Sequence, residues 1–159
     1  MIKKALILVA LAATIAACNT NSVQKGAETE TKEVAGQKEV PYEVAKNYFV
    51  KNTVGDGILT LKITTQEEFD KYFGSAATMG ENGKPTGIDF SKQYVIAVIG
   101  ESTNKSVVAE PLSLTKDGNV ITLTYKWEEG AQEQTYTARH QIAVIVANEY
   151  QGEVKYEKQ

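Results

Sequence analysis

An unbroken apolar run at residues 94–99 places the strongest constraint on how this chain can fold. A strand that is apolar at every position must be buried on both faces, so we expect this run to form a central strand of a sheet. Residues 59–63 and 121–127 instead alternate apolar side chains with Thr or Lys. This period of two predicts strands with one buried face. The chain is therefore expected to be built around a sheet.

One segment carries helical signals. Thr65 is followed three residues later by Glu68, which is a capping-box pattern that begins a helix. Gly74 is placed to end it. Three aromatic residues fall on one helical face between these points: Phe69, Tyr72 and Phe73. We therefore predict one helix at about 65–73, packed on the sheet.

The remaining chain predicts short strands joined by turns. Residues 42–47 are interpreted as a short helical turn, and residues 107–115 as a strand that Pro111 interrupts at a sheet edge or a bulge. Asp117-Gly118 predicts a hairpin turn, and residues 128–130 predict a second turn. The expected fold is α+β or nearly all-β, with five to seven mostly antiparallel strands and one helix.

The first residues have the layout of a secretory signal. Two lysines precede an apolar run of about eleven residues, which is too short to span a bilayer. Small residues then lead directly into Cys18, the only cysteine of the chain. This resembles the bacterial lipobox. We predict a lipoprotein signal peptide at 1–17, lipid on Cys18, and attachment to the bacterial cell envelope, with the inner and outer membranes both left open.

The residues that follow lack the apolar side chains of a core. Residues 18–41 contain the lipidated cysteine and a polar segment rich in Thr, Glu, Lys and Gly, which predicts a flexible tether. Pro41 marks its end, and residues 42–159 are predicted to form a single β-rich domain.

Few residues suggest catalysis. His140 is the only histidine, and no nucleophile elbow is present, so we interpret it as a surface or interface residue. Asp89 is expected to stabilise its loop. The net charge of −3 argues against nucleic acid as a partner. We expect no enzyme activity, no metal and no cofactor.

A long glycine-rich loop at residues 75–89 is the best candidate for a binding surface. Exposed aromatics such as Tyr136 or Trp127 offer an alternative, a site for a glycan or small ligand, although the strand pattern places Trp127 in the core. The residues expected to contact a protein partner are Met79, Glu81, Asn82, Lys84, Pro85, Thr86 and Arg139.

The order of three short motifs carries a family resemblance. Residues 63–70 (ITTQEEFD), residues 88–91 (IDFS) and the run at 94–99 follow one another. This order resembles the C-terminal domain of PrcB-type protease-complex lipoproteins, and the chain is also similar to small lipoproteins of Gram-negative anaerobes. The resemblance implies no catalytic residue. It implies a lipid-anchored domain that binds an envelope protein such as a protease, as an inhibitor or accessory subunit.

Overall fold

A computed structural model describes residues 36–77, 79–80 and 83–159 of the chain. Most of this part is β-sheet, with one short helix, α1, at Gln66–Tyr72. The strands are β1 Lys38–Glu39, β2 Tyr42–Val44, β3 Tyr48–Val50, β4 Leu59–Ile63, β5 Phe73–Ser75, β6 Gln93–Asp117, β7 Val120–Ala147 and β8 Glu153–Lys158. The predicted α+β class is thus confirmed in its coarse form, with more sheet than expected.

The long hairpin of β6 and β7 is the template of the fold. These two antiparallel strands turn at Gly118, which has the positive φ that such a turn requires. The base of the hairpin pairs with β4 on one side and β2 on the other, and the tip half pairs with β1 and β8. Each of these pairings is antiparallel except that of β7 with β8, which is parallel. A second, two-stranded sheet joins β3 to β5.

The hairpin folds over on itself, and its two halves share one core. This core unites Val98 and Val144 from the base with Leu114 and Leu123 from the tip half. The bend coincides with register shifts between residues 99 and 107 of β6. Across this region β7 supplies more residues than β6, which bends the ladder as β-bulges do.

A second core lies on the other face of the base strands. Val95, Ala97 and Ile99 of β6 pack there with Phe69 of α1 and Phe73 of β5. The run at 94–99 is therefore buried on both faces, as its composition predicts.

The start of α1 follows the predicted capping pattern. The Thr65 hydroxyl accepts a hydrogen bond from the amide of Glu68 at 3.2 Å, and the Glu68 carboxylate accepts one from the amide of Thr64 at 3.3 Å. Gly74 has a different task from the one expected. It lies in β5, where the ring of Phe49 approaches so closely that a Cβ would come within 2.5 Å of it.

Several local predictions were wrong. Residues 42–44 form strand β2, not a helical turn, because they pair with the end of β7. Residues 128–130 continue through β7 as strand, because cross-strand pairing overrides their turn chemistry.

The folded domain begins earlier than residue 42. Lys38 and Glu39 pair with β6, and Val40 is 1% exposed with its amide bonded to the Leu114 carbonyl. The last residues assigned to the tether therefore belong to the domain. The predicted signal peptide, Cys18 and most of the tether lie outside the described residues.

Candidate functional site

A network of hydrogen bonds holds residues 84–86 against residues 46–48. Residues 79–86 are the part of the predicted 75–89 loop that contains every predicted contact residue except Arg139, and we call them the 79–86 loop. Thr86 is the centre of this network. Its amide donates to the Lys46 carbonyl at 3.1 Å, its hydroxyl accepts from the Lys46 amide at 3.0 Å, and its carbonyl accepts from the Tyr48 hydroxyl at 2.6 Å. The Asn47 side-chain amide also donates to the Lys84 carbonyl at 2.8 Å. This end of the loop is fixed before any partner arrives.

The residues that hold the loop are themselves fixed to the fold. Asn47 has φ of 61°, a left-handed conformation that asparagine tolerates better than most residues. The ring of Tyr48 meets Phe69 of α1 edge-on, with centroids 5.0 Å apart. Burial, and then the nearby charge of Asp70, raise the pKa of the Tyr48 hydroxyl, so it stays a donor to the loop.

The other end of the loop presents an apolar side chain to solvent. Met79 is fully exposed, at 104% of its reference area. The Gly83 amide donates to the Gly80 carbonyl at 3.1 Å. Pro85 is partly buried and Lys84 is exposed. Glu81 and Asn82, the two other residues predicted in this loop, lie outside the described residues.

The guanidinium of Arg139 is hydrogen-bonded to backbone carbonyls of the domain. Its Nε donates to the Gly100 carbonyl at 3.0 Å, and its two terminal nitrogens donate to the carbonyls of Val54, Gly55 and Gly57 at 2.6 to 3.0 Å. The guanidinium therefore fastens the 54–57 turn to β6, which is a structural task that we did not anticipate. Arg139 is therefore not part of the proposed partner-binding surface.

Asp89 stabilises its own turn, as expected. Its carboxylate accepts from the Ser91 hydroxyl at 2.5 Å and the Ser91 amide at 3.1 Å, and it lies 3.3 Å from the Lys92 ammonium. The Ser91 hydroxyl contributes most to lowering the pKa of Asp89 below its ordinary value. All three contacts of the Asp89 carboxylate lie within the turn, at residues 89–92.

His140 lies within β7 and is partly buried. Its Nε2 is buried and has no hydrogen-bond partner within the described part of the chain. The adjacent Gln141 donates to the Tyr48 carbonyl at 2.7 Å, which ties β7 to the segment that holds the 79–86 loop.

The two aromatics of the alternative hypothesis have different environments. Tyr136 is 62% exposed, and it lies where β7 has more residues than β6 can pair. Trp127 packs against the first core, as its strand pattern predicts. Its indole covers Gly100, where a Cβ would come within 2.2 Å of the ring.

Residues 36–77, 79–80 and 83–159 contain no group of three His, Cys, Asp or Glu residues that could hold a metal ion. The same residues include no helix long and apolar enough to cross a bilayer.

Comparisons of the chain with protein-family models, with curated proteins and with solved structures gave no significant match.

Proposed function

We propose that this protein is a non-catalytic, lipid-anchored domain of the bacterial cell envelope that binds a protein partner through the 79–86 loop. The partner class that fits the resemblance above is an envelope protease, which the domain would inhibit or assist. Lipid on Cys18 and the polar segment after it would hold the domain at the membrane.

The observation that carries this proposal is the combination of a fixed loop end and an exposed apolar side chain. The three hydrogen bonds of Thr86 and the bond to Lys84 order residues 84–86 within the free protein. A loop that is already ordered loses less conformational entropy on binding. Met79 supplies a large flexible apolar side chain that a complementary pocket on a partner could bury.

The experiment that tests this proposal uses the full chain in detergent as bait in a solubilised envelope extract. Recovered proteins are quantified by mass spectrometry for wild type, Met79→Asp and the matched control Leu112→Asp. Leu112 is also an exposed apolar residue, at 45%, but it lies on β6, outside the loop. Both replacements remove an exposed apolar side chain and leave the cores unchanged.

We expect a protein that wild type and Leu112→Asp recover equally and that Met79→Asp recovers at least about fivefold less, because losing a buried anchor side chain costs about 1 kcal/mol or more. If that protein is a peptidase, its activity is then measured with and without the domain. Equal recovery by all three baits, or enrichment of no protein, would remove the loop from consideration.

A glycan remains the second candidate ligand because Tyr136 is exposed. An aromatic face in solvent can stack on a sugar ring. A glycan array probed with wild type and Tyr136→Ala separates this candidate from the first, since neither Met79→Asp nor Leu112→Asp alters that ring.

A further inference from the structure

Strands β4 and β8 are both edge strands, and their ends approach each other through side chains. β4 pairs only with β6, and β8 pairs only with β7, within the described part of the chain. The Lys62 ammonium of β4 donates to the Gly152 carbonyl at 2.9 Å, immediately before β8 begins. At the opposite end, Ile58 and Lys158 line the same cavity. The two strands thus run in opposite directions along a shared boundary, which we call the seam.

The cavity at the Ile58 end of the seam has a volume of about 100 Å³. Val98, Tyr125 and Trp127 contribute apolar walls, and Gly100 forms part of its lining. Because any side chain at position 100 would collide with the Trp127 indole, the glycine keeps this aromatic wall close to β6. The space is partly open to solvent and is lined mainly by aliphatic and aromatic groups, which favour an apolar ligand.

Ile58 is 67% exposed at this cavity. A ligand that covered it would remove a large aliphatic side chain from water, which favours binding roughly in proportion to the apolar area covered. An apolar group in the cavity would therefore contact the buried walls on one side and the exposed Ile58 side chain on the other.

Two charged residues also line the cavity. The Glu129 carboxylate lies 3.7 Å from the Lys105 ammonium, so its charge is partly balanced. The Lys158 side chain is exposed and has no acceptor among the residues that the structure describes. The charge available to a ligand is therefore positive.

We propose that the seam cavity binds a branched aliphatic group attached to a carboxylate. A cavity of about 150 Å³ lined by apolar side chains accepts benzene. The seam cavity is smaller but partly open to solvent, so it can take up the end of a four-carbon branched group, while Lys158 pairs with the carboxylate. Two sources share this chemistry: a free branched-chain acid, and a C-terminal leucine of a peptide. This site is independent of the 79–86 loop.

Trp127 is the only tryptophan and forms a wall of the cavity, so its emission reports binding directly. The full chain, in detergent at a fixed concentration, is titrated with 4-methylpentanoate and with acetyl-Ala-Ala-Leu bearing a free carboxylate. The matching uncharged probes are 4-methylpentan-1-ol and the peptide amide. Ile58→Asp and Lys158→Gln alter the site, and Leu112→Asp is the control for loss of an exposed apolar residue elsewhere.

We expect saturable shifts in emission with at least one carboxylate probe, and the probe that binds identifies the source. Ile58→Asp should abolish the shift, Lys158→Gln should weaken binding roughly fivefold, and Leu112→Asp should retain it. The wild-type protein should bind the uncharged probes about as weakly as the Lys158→Gln variant binds the carboxylates. Lack of saturation with both carboxylates, or equal binding by Ile58→Asp, would overturn the proposal. Equal affinity for acid and alcohol would overturn the role of Lys158.

Discussion

Replacing Arg139 by Met tests whether this residue fastens the fold or serves a partner. The substitution keeps a long side chain but removes every donor of the guanidinium. Four hydrogen bonds to backbone carbonyls are lost, three of them partly buried and one exposed. A hydrogen bond contributes about 0.5–1.5 kcal/mol net, and exposed carbonyls recover water. We expect the free energy of unfolding to fall by about 2–4 kcal/mol.

Thermal unfolding followed by circular dichroism measures this loss. A domain of this size loses about 3–5 °C per kcal/mol, so the midpoint should fall by roughly 6–20 °C. Arg139→Lys should lie between wild type and Arg139→Met, because one ammonium cannot reach carbonyls in the fork geometry of a guanidinium. Lys155→Met is the matched control, since it removes an exposed cation from β8 and should leave the midpoint nearly unchanged.

The opposite outcome is equally informative. If the midpoint of Arg139→Met stays within about 2 °C of wild type, the four bonds stabilise nothing measurable and the structural assignment of Arg139 is refuted. If the same variant then also fails to capture a partner that wild type recovers, the residue belongs to the binding surface after all.

Three further predictions concern Gly100, Thr65 and Asp89. Gly100→Ala should lower the free energy of unfolding in urea by about 1–3 kcal/mol through collision with the Trp127 ring, and Trp127→Leu in the same chain should restore part of it; an unchanged midpoint would contradict the contact. Thr65→Ala should cost about 1 kcal/mol by circular dichroism while Thr65→Ser costs little, and equal losses would exclude a capping role for the hydroxyl. Because bonds to Ser91 lower the pKa of Asp89, they stabilise the fold above the ordinary carboxyl pKa and are lost as the pH falls through the lowered value. The melting difference between wild type and Asp89→Asn should therefore be larger at about pH 6 than at about pH 2.5, and a difference independent of pH would refute this linkage.

Local sequence predicted those elements whose burial is set by their own residues. The run at 94–99 is apolar throughout, and it occupies the centre of the fold between two cores. Thr65 and Glu68 mark the start of the helix through contacts that span only a few residues. In both cases the determining chemistry lies inside the segment.

The errors arose where a distant partner decides the conformation. Residues 42–44 become a strand because β7 offers them an edge about 100 residues later in the chain. Residues 128–130 carry turn chemistry, yet pairing with β6 keeps them extended.

The candidate site likewise has features that local sequence predicted and features that depend on distant residues. The composition of the 79–86 loop indicated an exposed segment, and Met79 is exposed. The bonds between Thr86 and residues 46–48 have no sequence signature, because one partner in two of them is a backbone carbonyl. The same reason hid the role of Arg139, whose four acceptors are all carbonyls.

The β6–β7 hairpin comes late in the chain, after the strands that pair with it, and this order affects folding during synthesis. Strands β1 and β4 pair with β6, which ends at residue 117, whereas β2, complete by residue 44, pairs with β7 residues up to 146. At about 5–20 residues per second, β2 therefore waits longest of these strands, about 5 to 20 s, for its partner to be translated. Its exposed edges would be open to unwanted pairing throughout that interval. A ribosome-bound nascent chain should therefore depend on holdase chaperones until the β6–β7 hairpin has emerged.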